Sequence, residues 1–273
     1  MVLHSAGGTG EPLLIAHATG FCGRAYDPFA ALLAAHFQVF AVDLRGHGDA
    51  TAPADGDFSW GGMADDVLAA LAAIDTLVTG PVHSFGHSMG GAALLEAEMR
   101  HPGSLRSAYL FEPIVLPPGV IESGPNNPLA GPARRRREVF ASRAEAFHRY
   151  GGRPPLNTLR ADALYAYVEH GFRDEPDGTV RLKCAAENEA RTFESAAKVL
   201  TTDIGGIAIP VCVATGSDRE PMGPARFAPE IVAALPHADY LVDPLLGHFG
   251  PLESPAKVAA EVIAWIAATG AAT

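Results

Sequence analysis

Short apolar runs recur along the chain, and most are followed by a longer stretch whose apolar residues repeat at helical spacing. Runs of this length that end in glycine or polar loops are typical of buried strands, and the longer stretches predict helices. The predicted strands are residues 13–16, 39–42, 81–85, 108–111, 209–214 and 240–242. The predicted helices are residues 29–35, 63–77, 92–100, 224–235 and 254–268. Alternating strands and helices predict an α/β fold, a mostly parallel sheet covered by helices on both faces, with sites at the carboxyl ends of its strands.

Local signals predict where two of these helices start. Asp27 precedes Pro28, which predicts an N-cap followed by proline at the first helical position. Ser59 is placed to cap the helix that covers residues 63–77, because a serine oxygen can accept a hydrogen bond from an amide of the first turn.

The alternation stops after Glu112-Pro113. A proline-rich segment follows, and from about residue 133 to 200 the composition becomes helical and charged, without long apolar strands. We therefore expect residues 115–205 to be a helical insertion, or cap. Residues 1–114 and 206–273 would form one α/β core.

Composition and charge exclude several classes of function. Of 273 residues, 48% are hydrophobic and 19% are charged, which predicts a globular chain with a large core. The net charge of −11 argues against nucleic acid as a partner, because phosphate binding needs a basic face. No signal peptide and no apolar stretch of about 18 residues is evident. Three widely spaced cysteines suggest free thiols in the cytoplasm, with no metal site and no cofactor.

The pentapeptide Gly86-His87-Ser88-Met89-Gly90 lies between a predicted strand and a predicted helix. It has the G-x-S-x-G form of a nucleophile elbow, in which a tight turn exposes the serine hydroxyl and the glycines avoid clashes. The amide of Met89 would face the position where a negatively charged oxygen forms, beside the positive end of the helix.

A serine nucleophile needs a base and a carboxylate that orients the base. Asp218 follows the predicted strand at residues 209–214, and His248 lies in the loop after the next strand. The order Ser88, Asp218, His248 is the order expected for this arrangement of strands and helices.

With these motifs in place, the chain resembles the α/β-hydrolases that carry a helical cap between the sixth and seventh strands. The resemblance covers residues 10 to 270. It rests on five motifs in register: residues 17–21, 43–48, 86–90 and 216–218, and Gly247-His248. It implies that Ser88 is the nucleophile, His248 the base and Asp218 the orienting acid. The oxyanion hole would be formed by the amides of Met89 and Thr19.

The chain departs from the family pattern in ways that leave alternatives open. Ala18 stands where a glycine is usual, and the short amino terminus suggests fewer than eight strands. Glu112 is an alternative acid, which we rank below Asp218 because it leads directly into a proline. Glu220 is a weaker third candidate.

Other side chains have plainer explanations. We expect His87 to pack or bond within the elbow and His17 to organise its loop. The basic cluster at residues 134–137, with Arg143 and Arg149, is expected to be a solvated helix face. The alternative is that one or two of these arginines reach an anionic group of the substrate. Several aromatic residues could line a pocket or belong to the core, namely Phe21, Tyr26, Trp60, Tyr165 and Tyr167.

The function expected from this combination is that of a serine hydrolase. It would cleave a small to medium carboxylic ester, lactone or thioester through an acyl-enzyme intermediate. Carbon–carbon bond hydrolysis and cofactor-free perhydrolysis are the alternatives on the same triad, and a non-catalytic ligand-binding protein is the alternative from another class. The expected partner is a small-molecule substrate, and the oligomeric state is open.

Overall fold

The structure is a computed structural model that describes residues 1–120, 124, 127–195, 199–217 and 223–270. Seven strands form its central sheet, in the order β1-β3-β2-β4-β5-β9-β10. Their bounds are β1 Val2–Gly7, β2 Pro12–Ala16, β3 Gln38–Asp43, β4 His83–His87, β5 Ser107–Phe111, β9 Val211–Thr215 and β10 Ala238–Val242. Only the β1–β3 pairing is antiparallel. The mostly parallel α/β architecture expected from the sequence is confirmed.

Helices cover both faces of this sheet because its central strands are apolar on both sides. Along β2, Leu13 and Ile15 join one buried cluster with α1 and α10, while Leu14 joins the other with α2, α3 and α8. The bounds are α1 Asp27–Leu33, α2 Trp60–Leu77, α3 Met89–Arg100, α8 Ala228–Ala234, α9 Gly250–Glu253 and α10 Pro255–Gly270. Short 3-10 helices cover Gly23–Tyr26, Leu156–Thr158, Ile204–Gly206 and Pro224–Phe227.

One of the two predicted helix starts is confirmed and the other is wrong by one residue. Ser59 caps α2, because its side chain accepts a hydrogen bond from the amide of Gly62 at 3.2 Å. Asp27 is not an N-cap but the first residue of α1. The reason is that the 3-10 helix Gly23–Tyr26 runs directly into α1, so the chain is already helical when it reaches Asp27.

The first strand, β1, has no counterpart among the predicted strands. It lies at the edge of the sheet and its residues are half-buried or exposed, so it lacks the apolar run that marks the inner strands. With β1 included, the described sheet has seven strands, in agreement with the expectation of fewer than eight.

The segment between β5 and β9 contains helices and also a small sheet that the sequence did not predict. The helices are α4 Ala130–Arg134, α5 Arg143–Gly151, α6 Ala161–Gly171 and α7 Ala186–Glu194. The antiparallel sheet has the order β6-β8-β7, with β6 Val139–Phe140, β7 Phe172–Asp174 and β8 Val180–Leu182. Strands of two or three residues are too short to show a two-residue periodicity. The two ends of the segment meet where Leu116 and Leu200 form a parallel bridge.

No helix in the described part of the chain is long and apolar enough to cross a membrane.

Candidate active site

Ser88 lies in a sharp turn between β4 and α3, with φ 56° and ψ −117°. This conformation is outside the regions that L-residues ordinarily occupy. A Cβ at Gly90 would lie 2.2 Å from the carbonyl oxygen of Ala16, and one at Gly86 would lie 2.6 Å from the Cα of Gly91. The glycines of the pentapeptide are therefore required by close backbone contacts, as a nucleophile elbow demands.

Glu112 follows the neighbouring strand β5 and also has a positive φ, 45°. Its side chain is buried and accepts two hydrogen bonds. The amide of Gly216 donates to Oε1 at 2.9 Å, and Nδ1 of His248 donates to Oε2 at 2.7 Å. Ser88 and Glu112 are the only non-glycine residues with positive φ in the described ranges. Backbone strain of this kind is concentrated at functional sites.

His248 lies in the loop after β10, and its ring is 22% exposed. A carboxylate can only accept, so Nδ1 carries the proton and Nε2 of the neutral ring is unprotonated. The ring centroid lies 4.9 Å from that of His87, the residue before Ser88. His248 is therefore beside the elbow, in the tautomer that a general base requires.

The hydrogen bond from His248 favours the alternative acid of the sequence analysis. Asp218 and Glu220 lie outside the described residues. Pro113 placed Glu112 below Asp218 as a candidate, and the positive φ of Glu112 is a backbone feature that the sequence does not show. A glutamate at the carboxyl end of a strand next to the elbow was the available signal.

The two residues expected to form the oxyanion hole are in contact. Thr19 Oγ1 lies 3.3 Å from Sδ of Met89, so the loop after β2 reaches the first turn of α3. His17 holds this loop, since its Nε2 accepts from the amide of Leu44 at 3.1 Å and Nδ1 donates to the carbonyl of Ala18 at 2.8 Å. Burial lowers the pKa of His17, in keeping with this neutral form.

Aromatic and charged side chains from residues 115–205 lie against this loop. Tyr167 of α6 packs on Phe21 with ring centroids 5.0 Å apart. Arg136 and Glu189 form an ion pair at 2.5 Å, and a Cβ at Gly20 would lie 2.6 Å from Glu189 Oε1 and 3.1 Å from Arg136 Nη1. The Arg136–Glu189 ion pair thus lies beside Gly20, the residue that follows Thr19.

Three other arginines of the basic cluster form ion pairs with acidic side chains. Arg134 pairs with Glu187 and Glu194, and Arg137 with Glu145. Arg143 pairs with Glu169 and Asp174. The solvated face expected from the sequence describes Arg134 and Arg137, whose side chains are 41% and 43% exposed, but not the more buried Arg143. Arg136 points inward and donates to the hydroxyls of Tyr150 and Tyr167.

The other aromatic candidates divide between core and surface. Trp60 is buried, and its Nε1 donates to the carbonyl of Thr192 at 3.2 Å. Tyr165 is 62% exposed. Cys22 is buried in the loop after β2, and burial raises the pKa of its thiol far above the usual value, which disfavours the reactive thiolate.

One group of described residues brings three possible metal-ligand atoms within 4.8 Å of one another, namely His4, Asp43 and Asp49. Asp43 already accepts hydrogen bonds from His4 and from the amides of Gly23 and Asp49. Asp49 pairs with Lys183 at 2.6 Å. These contacts hold the turn after β3. Burial raises the pKa of Asp43, but its hydrogen bonds with His4 and with the amides of Asp49 and Gly23 act against burial, and the pKa is lowered to about 2.

Comparison with known proteins identifies relatives over nearly the whole chain. The model of the alpha/beta hydrolase family matches residues 13–261. The (E)-2-((N-methylformamido)methylene)succinate hydrolase of Acinetobacter baylyi is 25% identical, over 96% of this chain and 92% of its own. The 2-(acetamidomethylene)succinate hydrolase of Mesorhizobium japonicum is 26% identical, over 86% and 84%. A crystal structure of E-2-(acetamidomethylene)succinate hydrolase superposes with a TM-score of 0.77 at 22% identity, over 97% and 94%.

Proposed function

The chain belongs to the alpha/beta hydrolase family, and from this premise we propose that it is a serine hydrolase that acts through an acyl-enzyme. Its substrate is a small to medium carboxylic ester, lactone or thioester. The observation that carries the proposal is the 2.7 Å hydrogen bond between His248 Nδ1 and Glu112 beside a strained serine on an elbow.

In the proposed reaction Ser88 attacks the substrate carbonyl while Nε2 of His248 takes the hydroxyl proton. The amides of Met89 and Thr19 stabilise the oxyanion. The protonated His248 then donates its proton to the leaving group. Water activated by the same nitrogen releases the acid and restores Ser88. Throughout the reaction Glu112 accepts a hydrogen bond from Nδ1–H of His248, and it stabilises the imidazolium.

We assign the orienting acid to Glu112 rather than to Asp218. Two strands support this assignment, because Phe111 of β5 pairs with His87 of β4 and with Ala214 of β9. Residues that follow paired positions of parallel strands emerge at the same edge of the sheet. Glu112 follows Phe111 just as Ser88 follows His87, so both residues leave the sheet at the same level.

Residues 115–205 are proposed to be a cap over this site. The pairing of Leu116 with Leu200 closes the base of the segment, and the contact between Tyr167 and Phe21 brings its helix α6 to the oxyanion loop. We further propose the cytoplasm as the location, supported by three cysteines that are free and buried.

The test is the intact mass of the protein after treatment with a fluorophosphonate, beside Ser88→Ala. We expect one adduct in the parent protein and none in the variant, because only an activated serine next to an oxyanion site reacts. A screen of 4-nitrophenyl esters, lactones and thioesters should then show turnover that falls about a millionfold in Ser88→Ala. A folded parent protein that takes up no adduct, and binds ligands without releasing product, contradicts the proposal.

A second candidate substrate class is an acyl compound that carries a carboxylate. The names of two relatives are those of succinate hydrolases, whose substrates bear two carboxylates and an acylamino group. The observation that favours this class here is Arg136, whose guanidinium lies beside Gly20. Burial disfavours the charged form, but the facing Tyr167, Glu189 and Tyr150 keep the pKa of Arg136 well above its usual value.

This candidate is tested with two esters of equal shape, 4-nitrophenyl hemisuccinate and 4-nitrophenyl 4-methylpentanoate. Exchanging Arg136 and Glu189 together for glutamine keeps the buried pair neutral and avoids an unpaired buried charge. If Arg136 binds the carboxylate, kcat/KM for hemisuccinate falls about 10- to 100-fold, as for a lost charged hydrogen bond, and that for the neutral ester does not change. An equal fall for both esters excludes the carboxylate role.

A further inference from the structure

Two buried side chains that the proposed reaction does not use connect the three loops that carry its groups. Tyr26 and His87 both have an exposed fraction of 0%. The amide of Ala18 donates to Tyr26 Oη at 3.2 Å, Tyr26 Oη lies 2.6 Å from His87 Nδ1, and His87 Nε2 lies 2.8 Å from the carbonyl oxygen of His248. We call this row of hydrogen bonds the Tyr26–His87 relay.

The direction of every hydrogen bond in the relay follows from its ends. A carbonyl oxygen can only accept, so Nε2 of His87 carries a proton. Burial, and then the neighbouring His248, hold the pKa of His87 well below 6.5, so the ring is neutral and its Nδ1 is an acceptor. Tyr26 therefore donates to His87, and its oxygen is left to accept from Ala18.

The loop that carries His248 has exposed residues on its near side. It follows β10, an edge strand on which Val242 is 53% exposed, and Leu245 in the same loop is 79% exposed. Glu112 fixes one atom of the His248 ring. In the neighbouring backbone, the carbonyl of Leu246 accepts from the amide of Ser217 at 2.8 Å, and the amide of Gly247 donates to Glu253 at 2.8 Å. The hydrogen bond from His87 adds a fixed point at the carbonyl of His248 itself.

We propose that Tyr26 and His87 are positioning residues, which set the distance between the base loop, the elbow and the oxyanion loop through the Nε2–H donor of His87. This inference rests on the proposed function. A displacement of about 1 Å in a reacting group can cost as much as 100-fold in rate, so a hydrogen bond behind the base is enough to matter. The test must distinguish positioning of His248 from the purely structural role that any buried histidine with two hydrogen-bond partners has.

The strand β4 offers a matched control at its other end. His83 is 3% exposed, its Nδ1 lies 2.8 Å from Ser107 Oγ, and its Nε2 lies 3.2 Å from Glu11 Oε2. His83→Asn therefore removes a buried, hydrogen-bonded imidazole from the same strand without touching the base loop.

The experiment measures the rate constant for labelling by a fluorophosphonate, from intact mass against time, normalised to the protein that is finally labelled. Unfolded protein, which is not labelled, then does not affect the rate constant. His87→Gln places an amide nitrogen near the position of Nε2, whereas His87→Asn reaches only the position of Nδ1. Tyr26→Phe, which removes a single oxygen atom, serves as a variant with little change in volume.

We expect His87→Asn to be labelled about 10- to 100-fold more slowly than the parent protein. His87→Gln and His83→Asn should stay within about threefold of it, less than 1 kcal/mol in barrier. Tyr26→Phe should fall between these values. The proton NMR signal of His248 Nδ1–H should shift or broaden in His87→Asn and keep its position in His83→Asn.

Two results overturn the relay while the proposed function stands. One is a His87→Asn protein labelled as fast as the parent, and the other is equal slowing of His87→Asn and His87→Gln, which would assign the effect to packing. Failure of the proposed function is a separate result: the parent protein itself is not labelled, and the relay then has no base to position.

Discussion

The turn after β4 and the turn after β5 lie side by side at one edge of the sheet, and each contains a non-glycine residue with positive φ. At the elbow, Gly86 and Gly90 mark the turn in the sequence, because neighbouring backbone leaves no space for a Cβ. After β5 the strained residue is followed by proline, and no glycine stands within two residues of it. A sequence therefore reveals a strained turn only when close contacts require glycine at the positions near the strained residue.

Apart from loss of Ser88, the largest effect should come from Glu112, the proposed orienting acid, in the second turn. Glu112→Gln should lower kcat/KM by about 10⁴-fold, the loss expected when the base adopts the wrong tautomer. If the amide oxygen accepts from Gly216, the NH2 group faces Nδ1 of His248, and the ring proton moves to Nε2. Such a ring cannot accept the proton of Ser88.

The matched variant is Asp218→Asn, which should retain most of the activity. Both proteins are assayed with the same 4-nitrophenyl ester after their folding has been checked by circular dichroism. Collapse of activity in Asp218→Asn with near-normal turnover in Glu112→Gln would return the acid to the position that the sequence order indicates.

At the elbow the largest effect on stability should come from a glycine. Gly90→Ala would place a methyl group 2.2 Å from the carbonyl oxygen of Ala16, where only backbone can move away. We expect a loss of about 3 kcal/mol in the free energy of unfolding, at the upper end for overpacking. Urea unfolding measures it, and Gly103→Ala is a useful contrast because its Cβ would meet nothing within 4 Å. Since Gly103 has φ 84°, its variant reports backbone strain without a clash.

Low pH should lower the free energy of unfolding, because buried histidines near the elbow are neutral in the folded protein. Burial lowers the pKa of His17, His47 and His87, that of His47 to about 4. Below pH 6.5 the unfolded chain binds protons that these folded residues do not, so the stability that they contribute is greatest above pH 6.5 and falls as the pH drops. A histidine that is protonated in the unfolded chain and neutral in the folded protein contributes at most about 1.4 kcal/mol per pH unit. His4, whose pKa is raised by its hydrogen bond with Asp43, acts in the opposite direction.

Replacing one histidine isolates this effect. His47→Gln should reduce the slope of unfolding free energy against pH by about one proton between pH 6.5 and about 4. The comparison uses urea midpoints at several pH values for both proteins. Parallel curves would show that His47 does not stay neutral in the folded protein.

Much of the fold was predictable because its signals are local. The inner strands are apolar on both faces, and glycines mark the turn at Ser88, so the parallel sheet, the turn between β4 and α3, and the loop that holds His248 were all predicted. β1 and the small sheet β6-β8-β7 were missed because an exposed edge and strands of two or three residues carry no periodicity. The contact between His248 and Glu112 joins residues 136 positions apart, a distance that no local pattern reports.

The smallest effect concerns the strain that both turns share. Ser88→Gly and Ser88→Ala both remove the hydroxyl, but only glycine relieves φ 56° and ψ −117°. We expect the glycine variant to be more stable by about 1–2 kcal/mol, because this backbone lies outside the left-handed region.

Glu112→Gly and Glu112→Ala form the same pair at φ 45°, and both lose the carboxylate. That φ is close to the left-handed region, where strain is about 1 kcal/mol, and the greater freedom of glycine in the unfolded chain offsets much of the gain. Thermal and urea unfolding of the four proteins should therefore give a larger glycine advantage at the elbow than after β5. Equal advantages would mean that the two turns store the same strain and differ only in how visible it is in the sequence.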